Sequence, residues 1–300
     1  MEKKSEIDLF GAVALSGFSL LLAFNQVVIK VTNGGLQPVF FAGLRSAGAV
    51  LCIYLWLRWR GIPLNFAKGT RMAGFVIGAV FAFEFLCLFV ALDLTAVSRA
   101  SVIFYSMPVW LAIMAHFVMP DDRITGLKAA GLALALGGVA VAILTRGDTT
   151  MGSLWGDLAA LGAAIGWALT AILAKASPLR TVRPEIQLMW QVGVSAPILL
   201  VAALFFGPLI RDLAPIHLAG LAFQIVVVVS AGFIFWLWLL SIYPASGVAS
   251  FSFLSPVLAV GLGWLLLGEA VGPSLIVALV LVAAGIVLIN RPVRSRRTSV

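Results

Sequence analysis

Long apolar runs separated by short polar punctuation set the pattern of this chain. Runs of about twenty residues recur at 9–31, 36–57, 71–93, 97–119 and 124–144, then at 153–175, 184–207, 215–240, 245–267 and 272–290. A helix needs about 20 apolar residues to cross the hydrocarbon core of a bilayer, and each run supplies them. The connections carry most of the Gly, Pro, Arg and Asp. A membrane barrel instead needs segments near ten residues with apolar–polar alternation, and these runs are too long and too uniformly apolar for that. The pattern predicts an all-α integral membrane protein with ten transmembrane helices.

Composition agrees. Of 300 residues, 62% are hydrophobic and 11% charged, too few polar side chains to cover a soluble domain of this size. The net charge of +8 would fit nucleic-acid binding only if the basic residues formed one patch. They alternate instead with the runs: Lys3 and Lys4 precede the first, Arg58, Arg60, Lys68 and Arg71 follow the second, Arg123 and Lys128 follow the fourth, and Lys175, Arg180 and Arg183 follow the sixth. Arg291, Arg294, Arg296 and Arg297 close the chain, whereas Arg146 and Arg211 fall in the intervening loops. This bias puts both termini in the cytoplasm and makes lipid headgroups, not nucleic acid, the partner of the basic tail. The first run has no small-residue cleavage site after it and is expected to be retained. Cys52 and Cys87 sit inside runs without metal-ligand spacing, so neither a disulfide nor a metal is expected.

The two halves share a spacing. Pro108 is followed by Asp121 and Gly137 at the intervals at which Pro256 is followed by Glu269 and Gly285. Upstream, Ala96–Ser101 and Ala245–Ser250 share the pattern Ala-x-x-x-Ala-Ser, and Gly11, Gly17 and Lys30 correspond to Gly156, Gly162 and Lys175 at one constant offset. Pro38 and Pro184 pair in the same way, setting Arg45 opposite Gln191. Five helices per copy is an odd number, so the second copy enters the membrane upside down, a plan found in secondary transporters. The expected organisation is a cytoplasmic N-terminus (1–8), a first repeat (9–144), an outer linker (145–152), a second repeat (153–290) and a basic cytoplasmic tail (291–300).

These residues carry a resemblance. The pattern Ala-x-x-x-Ala-Ser, Pro-Val, acid, Gly, present once per half, resembles the EamA repeat of the drug/metabolite transporter superfamily. The match is close at Ser255-Pro256-Val257-Leu258, Trp264–Glu269 and Ala284–Val287, and Pro38, Phe41, Ala42, Leu44 and Arg45 resemble the start of the family's second helix. It departs in the first half, where Pro120-Asp121-Asp122-Arg123 replaces Gly-Glu. The resemblance implies a ten-helix exporter of amino acids, metabolites or drugs in a bacterial inner membrane, and the chain is also similar to the superfamily's aromatic amino acid exporters.

Ionisable side chains inside a bilayer cost several kcal/mol and stand as functional candidates. Glu84 and Arg45 lie at similar depth, roughly 13 Å below the outer surface at about 1.5 Å per residue. One reading makes them a buried ion pair locking two helices; the other makes Glu84 the site of a substrate ammonium or a coupling proton. Asn25, Gln191, Phe81, Tyr105, Trp167, Trp236 and Phe253 complete the expected cavity wall, since a flat amphipathic substrate suits aromatic surfaces with a few polar groups. Pro108 and Pro256 are expected as symmetric hinges inside their helices. Lys30 and Lys175, at equivalent helix ends, and Arg99 are expected to be gating or interfacial residues. Gly137, Gly138 and Gly285 are expected to allow close helix packing. No Gly-rich phosphate loop is present, and His116 and His217 fall at opposite ends of the membrane, so neither an enzyme nor a cofactor is expected.

The reading that unites these features is a secondary transporter, monomeric or homodimeric, exporting amino acids, aromatic ones in particular, or similar small amphipathic metabolites by alternating access. A carrier of the same superfamily for a drug or another metabolite is the first alternative. A membrane-embedded receptor or assembly subunit is the second.

Overall fold

The computed structural model describes residues 7–119, 123–145, 152–243 and 251–290. Lys3, Lys4, Asp121, Arg146, the second Ala-x-x-x-Ala-Ser copy and the basic tail lie outside the described residues. The helices are α1 (Leu9–Thr32), α2 (Pro38–Trp59), α3 (Arg71–Leu94), α4 (Val97–Phe104), α5 (Met107–Val118) and α6 (Gly126–Leu144). They continue as α7 (Leu154–Ala176), α8 (Pro184–Ala203), α9 (Pro215–Phe223), α10 (Phe233–Ile242), α11 (Leu254–Leu267) and α12 (Pro273–Asn290). Among the described residues nine spans are long and apolar enough to cross a membrane. The shorter α11 follows a 3₁₀ turn, Phe251–Phe253, and supplies the remaining one.

Proline and polar caps fix where helices begin. Pro38, Pro184 and Pro215 occupy first-turn positions, where no intrahelical N–H is needed. At α1 the Asp8 carboxylate accepts from Gly11 N at 2.9 Å and from the Tyr243 hydroxyl at 2.7 Å. Gln37 caps α2 by accepting from Phe40 N, while its amide donates to the Ala203 carbonyl at the end of α8, each at 2.7 Å.

Among the described residues two spans are interrupted. The fourth breaks at Tyr105–Ser106 into α4 and α5, and the eighth runs from α9 through a π-helical stretch, Gln224–Gly232, into α10. Ser230 Oγ donates to Ile225 O at 2.7 Å within the π turn. Pro108 sits in the first turn of α5 and Pro256 near the start of α11. The expectation of a proline inside its helix is therefore corrected at Pro108, which begins the segment after the break, a position its ring favours; Pro256 follows the 3₁₀ turn Phe251–Phe253.

Helix pairing reveals the internal symmetry. α6 packs on α12 and α2 on α8, pairings that map onto themselves when the halves are exchanged. α3 packs on α7 as α1 packs on α9, and α1 packs on α11 as α7 packs on α4 and α5. Directions follow from the loops. Lys30, near the end of α1, donates to the Asp93 and Thr95 carbonyls at the end of α3, and Thr95 forms a backbone bridge with Gly152, just before α7. α1 thus ends on the face where α7 begins, and corresponding spans of the two repeats run oppositely. This face is called the Lys30 face below.

Glycine makes the α6–α12 contact close. A Cβ on Gly138 would lie 2.7 Å from the Ala278 carbonyl oxygen, and one on Gly285 2.6 Å from that of Gly131. Backbones approach as the small-residue rule for membrane helices describes.

Candidate functional site

A cavity of about 460 Å³ lies among α1, α2, α3, α5, α7, α8, α10 and the π turn. Its basic and acidic residues within the spans, Arg45 and Glu84, come from the middle of α2 and α3. From there it extends through Leu15 and Phe18 in the first half of α1 toward Asn290 at the end of α12. It therefore reaches toward the face opposite Lys30.

The aromatic wall is built at helix spacing. Phe81 and Phe85 on α3 pack 4.5 Å apart between ring centroids, and Phe18 stacks on Trp236 at 5.0 Å, joining the first and eighth spans. Trp167 and Tyr105 add surface from α7 and from the break between α4 and α5. The polar groups are few. Glu84, 2% exposed, accepts from the Thr170 hydroxyl at 3.3 Å. Arg45, 5% exposed, lies over the Phe85 ring at 3.9 Å from guanidinium carbon to centroid. Gln191 lines the same space.

Polar bonds latch the Lys30 face. Besides the Lys30 bonds, Arg211 makes a bidentate pair with Asp93 at 2.7 and 3.0 Å and donates to Asn33 O. That pairing raises the Arg211 pKa and keeps the side chain charged. Asn33 Nδ2 donates to Phe89 O at 2.9 Å. Glu269 reaches across the repeats: its carboxylate accepts from Val97 N and Ser98 N at 2.6 and 2.8 Å, capping α4. The cavity reaches toward one face, and these bonds latch the other.

The sequence pattern of the EamA-like transporter family matches residues 9–144 and 154–291, one match per repeat. The chain belongs to this family. This EamA protein is 24% identical over 277 residues to an "Uncharacterized transporter YoaV" of Bacillus subtilis, covering 89% of this chain and 92% of that protein. It is 26% identical to a "Probable amino-acid metabolite efflux pump" of Escherichia coli, with 87% and 88% covered. A Salmonella typhimurium protein of the same description is 27% identical, with 94% and 97% covered. A crystal structure with 18% identity superposes with a TM-score of 0.66 over 92% of this chain and 95% of its own, showing a shared fold.

Within the EamA frame, seven of the expected wall residues meet at the cavity: Arg45, Phe81, Glu84, Tyr105, Trp167, Gln191 and Trp236. Pro108 joins them. Asn25 and Phe253 do not line it. Asn25 is buried and accepts from the Gln224 amide, so its polar group is satisfied between the first and eighth spans. Phe253 is half-buried and packs against the core. Arg99 is corrected from an interfacial residue to a buried one, 1% exposed, held bidentately by Asp157 at 2.8 and 2.9 Å. Lys175 is exposed at the end of α7, whereas Lys30 is half-buried in the latched face. Among the described residues no hydrogen bond or ion pair joins Arg45 to Glu84, so the buried-lock reading of that pair fails in this state. Sequence reasoning missed Thr170, Phe85 and the π turn, which contributes Val228, Val229 and Gly232 to the wall. π turns inside helices often mark functional sites, but nothing in an all-apolar run such as Ile225–Val229 announces one.

Proposed function

We propose that this EamA transporter is a secondary carrier that exports amino acids, aromatic ones favoured, or similar amphipathic metabolites by alternating access. The observation that carries the reading is the one-sided cavity between two oppositely oriented repeats. Its 460 Å³ falls within the range of about 300–1,000 Å³ usual for small-molecule sites. Its wall is mostly apolar and aromatic, with a few polar groups to fix orientation. Two oppositely oriented copies of one unit can exchange roles, which gives states open to either side comparable energies.

The efflux pumps named among the relatives support amino-acid cargo and outward direction. With the termini in the cytoplasm of a bacterium and the spans in its inner membrane, as the basic-residue bias argues, this state faces inward and the Lys30 face is the closed outer gate. Glu84 is then placed for a substrate ammonium or a coupling proton. The test is counterflow by the purified full chain in proteoliposomes, using labelled phenylalanine, tyrosine, tryptophan and a panel of other amino acids, with and without a pH gradient. Accumulation of aromatic amino acids above empty liposomes is expected. Absence of flux for every compound would sink the carrier reading.

A further inference from the structure

We propose that Arg45 is the carboxylate anchor of the cavity, so that this site takes α-amino acids with large apolar side chains in preference to amines lacking the acid group. The inference rests on the reading of this cavity as the cargo site, and it names the group that selects the cargo.

The Arg45 guanidinium is buried from solvent and placed in the cavity wall. Phe85 covers its flat face at 3.9 Å, and Phe89 lies at 5.7 Å. Stacking satisfies the π face of a guanidinium but not the N–H donors in its plane. Those donors are short of partners: Nε and Nη1 are buried and bond to nothing. An ionised group with unmade hydrogen bonds in the interior is costly, and a structure keeps one where a ligand completes it. Nε and Nη1 lie on different edges of the guanidinium, so a bidentate carboxylate takes one of them together with Nη2.

The second charged group of the wall lies nearby but is not bonded to the first. Glu84 makes no hydrogen bond to Arg45; its carboxyl accepts from the Thr170 hydroxyl at 3.3 Å instead. An acid and a base on neighbouring helices, facing one cavity without closing on each other, leave room for a molecule that carries both complementary charges on one carbon. A zwitterionic α-amino acid has that form: its carboxylate meets Arg45 and its ammonium meets Glu84. Phe81, Trp167 and Trp236 then surround the side chain.

The experiment measures binding to the purified full chain in detergent by thermal shift and tryptophan quenching. The probes are L-phenylalanine, 3-phenylpropionate (acid only) and 2-phenylethylamine (amine only). Arg45→Gln is expected to weaken the two carboxylate ligands by about 10- to 100-fold, the range for losing a charged hydrogen-bond partner, and to leave 2-phenylethylamine unchanged. Arg45→Lys should recover part of the loss. Equal weakening of all three ligands would show a packing role for Arg45 and overturn the proposal, as would unchanged carboxylate binding. Should the variants fail to fold, the wild-type ranking decides: 2-phenylethylamine binding as tightly as L-phenylalanine overturns the anchor. Selective binding without flux would instead sink the export reading and leave the anchor standing.

Discussion

The Arg99–Asp157 pair offers the sharpest test of how this fold is held together. Arg99 on α4 donates to both carboxylate oxygens of Asp157 on α7 at 2.8 and 2.9 Å, and to the Thr145 and Ile143 carbonyls at 3.1 and 3.3 Å. One side chain thus ties the start of α4 to the end of α6 and to the first helix of the second repeat. Both side chains are at most 2% exposed, so solvent cannot replace a lost partner. Asp157→Asn removes the countercharge while keeping the shape, and breaking a buried pair in this way costs about 3–5 kcal/mol. A neutral bond across the repeats supplies the comparison: Ser195 Oγ donates to Ser46 Oγ at 3.1 Å, also buried, and hydrogen bonds between membrane helices average about 0.6 kcal/mol. Thermal unfolding in detergent should therefore show a loss for Asp157→Asn several times that for Ser46→Ala. The double variant Arg99→Met with Asp157→Leu, which removes both charges, should recover most of the deficit. If Asp157→Asn unfolds no earlier than Ser46→Ala, the charge is being compensated elsewhere and the argument from burial fails.

Two further outcomes test the packing and the latch. Gly138→Ala should destabilise by about 1–3 kcal/mol, the usual cost of overpacking, because its Cβ would meet the Ala278 carbonyl; Gly137→Ala, with nothing within 4 Å of its Cβ, should be neutral or slightly stabilising. Glu269→Ala leaves Val97 N and Ser98 N without their acceptor, a lost cap worth about 0.5–2 kcal/mol, and hydrogen–deuterium exchange over 97–101 should accelerate accordingly, with unchanged exchange arguing against the latch.

Much of the architecture was written in run lengths and repeated spacings, because lipid demands long apolar helices and internal symmetry duplicates several landmarks. The cavity was only partly legible. Runs that are apolar all round give no face preference, so Phe253 and Trp236 look alike in sequence, although one packs against the core and the other lines the cavity. Arg99 shows a different failure. Its place at a helix start suggested the interface, yet Asp157, the one acid in the run 153–175, was a signal that could have been used: a lone carboxylate in a membrane helix needs a partner.

The repeated acid teaches the most about reading such chains. Its spacing from Pro256 was visible, but its role cannot be found within its own repeat. Gly268, at φ 65°, takes the left-handed conformation and turns the chain at the end of α11. Glu269 N then bonds back to Gly263 O at 3.2 Å, while the carboxylate crosses to α4 of the other repeat. Even the glycine at 263 belongs to this turn, since a Cβ there would lie 2.5 Å from a Glu269 carboxylate oxygen. The small residue, the left-handed turn and the acid form one device whose target lies about 170 residues earlier in the chain. A repeat in an inverted protein is therefore understood only against its partner: the spacing within one copy encodes a contact with the other, and that contact ties the Lys30 face while the cavity reaches toward the opposite one.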